Sequence, residues 1–245
     1  MTPRIFVGDD VAALAPGVDY VLPQAAARHV AQALRMRTGE PLTLFTGSGG
    51  EYATTLARID RREVIVRVER HDAIERESPH PLTLVQSLIA AEMMDFVVRK
   101  AVELGVTAIV PLLAARSQAI AADRAERRVA HWRQIAVAAC EQCGRNRVPD
   151  VADIVPFGEW AETIEPAAAP AILDFDASQS LAALTSTAPP RSVAVGPEGG
   201  FSAGELRHAG ARGAVCVHLG RRVLRAETAA IVALATLNAI TGDAQ

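Results

Sequence analysis

The chain has 245 residues, of which half are hydrophobic and 22% are charged, so it can form one large domain or two small ones around a sizeable core. It contains no charge-free apolar stretch long enough to span a membrane, no secretory signal at its start, and only three cysteines. These features argue against a membrane protein and a disulfide-stabilised secreted protein, and they predict a cytoplasmic location.

The charge pattern gives a weaker indication. The net charge of −3 argues against a general nucleic-acid binder. Lys100 is the only lysine, and seven arginines face three acidic residues between residues 116 and 147. That local excess of arginine could meet a phosphate backbone. Without other evidence a solvated helix face is the better explanation, so the excess does not establish nucleic-acid binding.

The first 75 residues predict a small barrel or sandwich of short strands. One helix is expected over residues 23–36, and a loop is expected at the glycine-rich residues 47–50. The expected strands are rich in β-branched and aromatic residues and are bounded by turn residues. They are 4–7, 20–22, 41–45, 52–59 and 64–68.

A polar segment, residues 70–81, predicts a linker, and the pattern changes after it. Strands then alternate with helices, which predicts an α/β domain built on a mostly parallel sheet covered on both faces. The expected strands are 82–88, 106–113, 171–175, 192–195 and 214–219. The expected helices are 91–104, 123–143, 202–211 and 227–240.

Two loops at the ends of predicted strands carry most of the functional signal, because ligands of open α/β sheets bind at such positions. The first contains Gly196-Pro197-Glu198-Gly199-Gly200, whose glycines let a ligand approach the backbone. Ser202 and Glu205 follow it in the spacing of a helix capping box. The second loop is Leu219–Arg225, which leads into the last helix. An ordinary tight connection needs less glycine than the first loop contains, so we favour a binding role for both.

A third segment, Cys140–Pro149, ends the long helix in a basic loop. Cys140 and Cys143 have Cys-x-x-Cys spacing, but no second cysteine pair or nearby histidine completes a zinc site. Buried structural cysteines are therefore favoured, and no metal is predicted. Arg145, Asn146 and Arg147 are candidates for contacts with phosphates or bases.

Taken in order, these motifs resemble the 16S ribosomal RNA (uracil-1498-N3)-methyltransferase family of the SPOUT superfamily. The resemblance rests on the Gly196–Gly200 loop, the run Leu219-Gly220-x-x-Val223-Leu224-Arg225-x-Glu227-Thr228-Ala229, and Glu141-Gln142-x-x-Arg145. Further matches are Arg4-x-Phe6, His29-Val30 with Leu34-Arg35-Met36, Lys100–Val106, and Arg116-Ser117. Together the matches extend over nearly the whole chain.

The resemblance implies a PUA-like β-barrel, residues 1–75, that binds RNA, and a SPOUT domain with a trefoil knot, residues 76–245. It also implies a homodimer that uses S-adenosyl-L-methionine to methylate 16S ribosomal RNA of the small ribosomal subunit. The cofactor-binding residues that it implies are Leu173, Gly196, Pro197, Glu198, Gly199, Gly200, Leu219, Gly220, Val223, Leu224 and Thr228.

Methylation of uracil N3 requires loss of its weakly acidic proton. Arg225 is the candidate for stabilising the resulting anion, and Glu198 or Glu141 is the candidate proton acceptor. For Glu141 a purely structural role is as well supported. The candidate RNA contacts are Arg4, His29, Arg35, Arg37, Arg116, Arg145, Asn146 and Arg147. Two alternatives remain: a non-catalytic RNA-binding module that assists ribosome assembly, and a SPOUT enzyme that acts on another RNA.

Overall fold

The computed structural model describes residues 2–8, 14–60, 63–184 and 189–243. The chain divides into two compact units. Unit 1 contains residues 1–77 together with residues 140–148, and unit 2 contains residues 78–139 and 149–245. Unit 1 is therefore built from two segments that lie far apart in the sequence.

A five-stranded sheet forms unit 1, with strand order β1-β3-β4-β5-β2. The β1–β3 pair is parallel and the other pairs are antiparallel. Buried and less buried residues alternate along β4, which places one face of that strand on the core. The core includes Ile5, Val30, Leu44, Leu56 and Val66. The strands are β1 Arg4–Phe6, β2 Asp19–Val21, β3 Pro41–Phe45, β4 Glu51–Ile59 and β5 Val64–Asp72.

The helix predicted over residues 23–36 is shorter than expected. It consists of α1, Gln24–Arg28, followed directly by a π-helical turn, His29–Ala33. The helix cannot continue because Arg35 adopts a left-handed conformation with φ of 53°, which is costly for a residue with a side chain.

The segment predicted as a linker over residues 70–81 is partly ordered by contacts within unit 1. Strand β5 continues to Asp72, and its polar end pairs with the start of β4, where the rings of Tyr52 and His71 pack 4.6 Å apart. The next residues form ion pairs: Glu75 with Arg147, and Glu77 with Arg145. A polar composition alone does not reveal these partners, which explains why a linker was predicted.

A charge cluster in unit 1 centres on Arg4 and Glu51. The Arg4 guanidinium donates to Glu51 at 2.6 Å and also to the side chain of Asn146, while Arg76 donates to Glu51 at 2.9 Å. The side chains of Arg4 and Glu51 are 9% and 13% exposed. Burial by itself would raise the pKa of Glu51, but hydrogen bonds from Arg76, Arg4 and Asn146 lower it to about 2.

Unit 2 is built on a seven-stranded sheet in the order β12-β10-β11-β6-β7-β8, with β9 also pairing with β7. Every strand pair in it is parallel, which confirms the prediction of a mostly parallel sheet. Its central strands are buried along almost their whole length, as expected for a sheet covered on both faces. The strands are β6 Thr83–Ser87, β7 Ala108–Leu113, β8 Asp150–Val151, β9 Val155–Pro156, β10 Ala171–Leu173, β11 Ser192–Val195 and β12 Val215–Val217.

The helices predicted for the second half of the chain are present to within a few residues. The helices after α1 are α2 Ala91–Glu103, α3 Ala122–Cys143, α4 Phe157–Glu162, α5 Leu181–Leu184, α6 Ala203–Ala211 and α7 Ala226–Thr241. The last turn of α3, residues 140–143, belongs to unit 1. Helices α4 and α5 were not predicted, because six and four residues are too few to show a helical period. No helix in the described part of the chain is long and apolar enough to cross a membrane.

We expect Glu51→Gln to lower the free energy of unfolding at pH 7 by about 2–3 kcal/mol, because it leaves the Arg4 guanidinium without its carboxylate. Since the pKa of Glu51 is lowered on folding, its stabilisation is complete above pH 4.5 and is lost as the pH falls towards 2. Urea unfolding across this pH range would show that the free energy of unfolding falls less on acidification in the variant than in the protein without the substitution.

The control for this prediction is Asp19→Asn, which removes an exposed ion pair with Arg67. We expect it to change stability by no more than about 0.5 kcal/mol. Equal effects of the two substitutions would contradict a special role for the Arg4–Glu51 cluster.

Candidate active site

A cavity of about 750 Å³ opens in unit 2, at the carboxyl ends of β10, β11 and β12. The loops that follow these three strands form most of its wall, as is usual for ligand sites of parallel α/β sheets. The predicted site residues that line it are Leu173, Gly196, Pro197, Glu198, Gly199, Gly200, Leu219, Gly220, Val223, Leu224, Arg225 and Arg116. The structure thus brings together residues that lie more than 100 positions apart.

The loop after β11 turns so tightly that its glycines are required. A Cβ atom on Gly196 would lie 3.1 Å from the backbone nitrogen of Phe201 and 3.2 Å from the Cα atom of Gly200. Gly200 has φ of 67°, and its N–H donates to the carbonyl of Pro197 at 2.8 Å. Gly196 and Gly200 both line the cavity, so the loop presents backbone without side chains to a ligand at these two positions.

Helix α6 begins immediately after this loop with the predicted capping box. The Ser202 hydroxyl accepts from the N–H of Glu205 at 3.3 Å, and a Glu205 carboxylate oxygen accepts from the N–H of Ser202 at 2.7 Å. The other Glu205 oxygen accepts from the N–H of Ala115 at 2.8 Å. One glutamate therefore fixes both the start of α6 and the loop that carries Arg116.

The loop after β12 contributes polar and positively charged groups to the cavity, in contrast to the glycine-rich loop. Gly220 has φ of 115°, and its N–H donates to the Nδ1 atom of His218 at 3.0 Å. Arg225 is the residue at the N-terminal cap of α7, and its side chain is exposed at the cavity. The guanidinium and the amino end of the helix both bring positive charge to this side of the cavity.

Two charged side chains lie at the glycine-rich loop. Arg116 contacts it from another loop, and Glu198 is part of it. The Arg116 guanidinium donates to the carbonyl of Gly199 at 2.7 Å. A Glu198 carboxylate oxygen lies 3.4 Å from the N–H of Ala90, the residue that caps α2. Glu198 is thus held near a helix amino end, where an anion is favoured.

Comparisons with known proteins agree with this arrangement. Residues 76–238 match the RNA methyltransferase domain family, and residues 22–69 match the RNA methyltransferase PUA domain family. The ribosomal RNA small subunit methyltransferase E of Buchnera aphidicola is 29% identical, over 98% of this chain and 94% of its own length.

Two solved structures are also similar. The ribosomal RNA small subunit methyltransferase E of Neisseria gonorrhoeae, bound to S-adenosyl methionine, is 33% identical with a TM-score of 0.89. A Legionella pneumophila protein described as a methyltransferase in complex with S-adenosyl methionine is 35% identical with a TM-score of 0.91. Each comparison covers 98% of both chains. The chain belongs to the ribosomal RNA small subunit methyltransferase E family.

Two predicted site residues do not line the cavity of this family member. Thr228 lies in the first turn of α7 with an exposed side chain. Glu141 belongs to unit 1, where its carboxylate accepts from the backbone N–H of Phe6 at 3.0 Å. That contact supports the structural role for Glu141, and its role in proton transfer stays a prediction.

The eight predicted RNA contacts fall into two groups. His29, Arg35, Arg37, Arg116 and Arg147 have exposed side chains. Arg4, Arg145 and Asn146 do not: Arg145 is 4% exposed and Asn146 is fully buried. Asn146 donates to the carbonyl of Ile74, and Arg145 pairs with Glu77. Burial within unit 1 supports a structural role for these three residues, and their contact with RNA stays a prediction that this packing disfavours.

The sequence did not single out Asp174, Phe175 and Asp176, although all three line the cavity. They directly follow β10, at the same edge of the sheet as the two glycine-containing loops. The position after a buried strand was the signal that could have found them. That signal was applied only to the loops after β11 and β12. A short Asp-Phe-Asp run matches no binding motif, and Leu173 was implied by the resemblance alone.

The cysteines show no sign of metal or redox chemistry. Cys140 is buried, and burial raises the pKa of its thiol to about 12, which disfavours the reactive thiolate. Its Sγ atom lies 3.5 Å from the carbonyl oxygen of Arg147. Over the part of the chain that the structure describes, no group of three metal-ligating side chains is present.

We expect Ser202→Ala to lower the free energy of unfolding by about 1 kcal/mol, because α6 loses its capping hydroxyl. The coupling between Ser202 and Glu205 would be measured by thermal unfolding of three variants: Ser202→Ala, Glu205→Ala and the double variant. Because both residues belong to one box, the two losses should not add. Strict additivity would show that the two halves of the box act independently.

Proposed function

We propose that this protein transfers the methyl group of S-adenosyl-L-methionine to N3 of a uridine in 16S ribosomal RNA, the uracil-1498 position named for the resembling family. The observation that carries the proposal is the cavity formed by the loops after β10, β11 and β12 in a chain of the ribosomal RNA small subunit methyltransferase E family. The named relatives support both the cofactor and the class of substrate.

The cavity fits this cofactor in size and in chemistry. Its volume lies within the usual range for small-molecule sites. The buried side chains of Val195, Val217 and Phe201 contribute apolar surface for an adenine ring. Gly196, Gly199 and Gly200 line the cavity without side chains, so a ligand can reach the backbone there. We propose that the cavity-lining residues predicted from the sequence hold the cofactor.

When bound, S-adenosyl-L-methionine supplies an electrophilic methyl group on a sulfonium. The protein then has to align uracil N3 with that methyl group and to favour loss of the N3 proton. Arg225 suits the second task, because its exposed guanidinium at the amino end of α7 stabilises negative charge that develops on the uracil.

Of the two candidate proton acceptors, Glu198 is the better supported. Its carboxylate lines the same cavity as Arg225, whereas the carboxylate of Glu141 is engaged with the backbone of Phe6. We therefore propose Glu198 as the group that accepts the N3 proton. Thr228 lies in the first turn of α7 outside the lining of the cavity, so its contact with the cofactor stays a prediction from the resemblance.

RNA contact is proposed for the exposed candidates. Arg116 lies at the cavity, while the other four are on the surface of unit 1: His29, Arg35, Arg37 and Arg147. Exposed arginines can reach phosphates, and the net charge of −3 suits a structured RNA that is recognised by shape more than by overall attraction.

The resemblance also implies a homodimer and a trefoil knot, and the composition predicts a cytoplasmic location. We retain these three as proposals. Strand β12 follows β11 in sequence but lies beyond β10 in the sheet, so the connection between them passes β10. Exposed Phe96 and Ile240 offer apolar surface to a second copy.

The proposal is tested by calorimetric titration with S-adenosyl-L-methionine, followed by methylation of small ribosomal subunits that lack the uridine modification. Saturable binding and methyl transfer to uracil N3 are expected. A folded chain that binds RNA but neither binds the cofactor nor transfers methyl would be a non-catalytic assembly module. Transfer to another RNA would identify a different substrate.

We expect Gly196→Ala to weaken binding of S-adenosyl-L-methionine at least tenfold, because the new methyl group meets the backbone of Gly200 and Phe201. Titration calorimetry would measure the change. The matched control is Gly210→Ala in α6, where an added Cβ atom meets nothing within 4 Å. Unchanged binding by the Gly196 variant would place the cofactor elsewhere.

We expect Arg225→Ala to lower kcat by about 100-fold or more while the Kd for S-adenosyl-L-methionine stays within about threefold. Single-turnover methylation and titration would separate the two effects. Arg221→Ala removes an exposed arginine of the same loop that does not line the cavity, and its activity should be unchanged. Full turnover by the Arg225 variant would exclude it from catalysis.

A further inference from the structure

Two apolar side chains at the mouth of the cavity are unusually exposed. Val223 is 77% exposed and Phe175 is 53% exposed, the two highest values for large hydrophobic residues in the described ranges. Both line the same cavity, one on the loop after β12 and the other on the loop after β10. Single exposed apolar residues are common on protein surfaces, but a pair at one cavity mouth suggests contact with a binding partner.

The depth of these residues separates them from the proposed cofactor site. Val195, Val217 and Phe201 are buried and supply apolar wall inside the cavity. Phe175 and Val223 instead face solvent in the absence of a partner. An adenine ring can be covered by the buried wall, whereas a second substrate approaches from solvent and meets the exposed pair first.

The charges around Phe175 restrict which part of an RNA can reach it. Asp174 and Asp176 flank it on the same loop, and the N–H of Asp176 donates to the Asp174 carboxylate at 3.3 Å. Two carboxylates repel a phosphate, so an uncharged group is favoured at this position. Arg222 and Arg225 lie on the loop of Val223, where they can take the phosphate and the developing uracil anion.

We propose that Phe175 is the platform on which the target uracil stacks after it leaves the RNA stack, with Val223 bounding the base at the cavity mouth. An enzyme that acts on a base must bring it out of its stack into a pocket, and aromatic side chains commonly hold such bases. The inference rests on the proposed function, for which it assigns a positioning residue.

The test compares Phe175→Ala, Phe175→Leu and Phe175→Tyr in methylation of small subunits that lack the modification. We expect the alanine and leucine variants to lose about 10- to 100-fold in kcat/KM for the RNA, because stacking on the ring is lost. The kcat/KM of the tyrosine variant should stay within about threefold of the value for the protein without substitutions. The Kd for S-adenosyl-L-methionine should be unchanged in all three.

The control is Leu113→Ala, which removes an exposed apolar side chain of β7 that does not line the cavity, and its activity should be unchanged. A parallel loss of cofactor binding in Phe175→Ala would show that the ring covers the adenine instead and would overturn the inference. Full activity of the leucine variant would overturn it as well. The activity of the protein without substitutions separates the two proposals. If that protein is inactive, both proposals are overturned. If the Phe175 variants are fully active, only the stacking proposal is overturned.

Discussion

The parallel pairing of β10 with both β11 and β12 is the constraint on which the site depends. Parallel strands in register end at the same edge of a sheet, so the three loops that follow them are forced into one place. The sequence separation of those loops is then irrelevant. A glycine-rich turn, an aromatic loop and an arginine-rich loop line one cavity because hydrogen bonds between backbones hold three short buried strands side by side.

Much of this site could be predicted because its signals are local. The tight turn at Gly196, the capping residue Ser202 and the amino end of α7 are each visible within a few residues. The Phe175 loop was missed because its place at the cavity depends on neighbouring strands that follow it in sequence. The burial of Arg4 was missed for a similar reason: its partner Asn146 is 142 residues away, and sequence spacing does not show such a contact.

The difference between local sequence signals and contacts between distant residues also explains which helices and strands were predicted. Strands such as Pro41–Phe45 and Ser192–Val195 were located to the residue, since β-branched and apolar residues are bounded there by turn residues. The polar half of β5 was missed because its hydrogen bonds to β4 are made by the backbone. Strands β8 and β9, with two residues each, are defined only by their pairing with β7.

The two-segment construction of unit 1 has a consequence for synthesis on the ribosome. Residues 140–148 are made about 60 residues after Glu77, which at about 5–20 residues per second corresponds to roughly 3–12 seconds. During that interval Glu77 and Arg4 have emerged, but the partners that Arg145 and Asn146 provide do not yet exist. The first 77 residues therefore cannot complete unit 1 by themselves. Unit 1 is completed only after residues 140–148 have been made, when much of the following α/β unit has been translated.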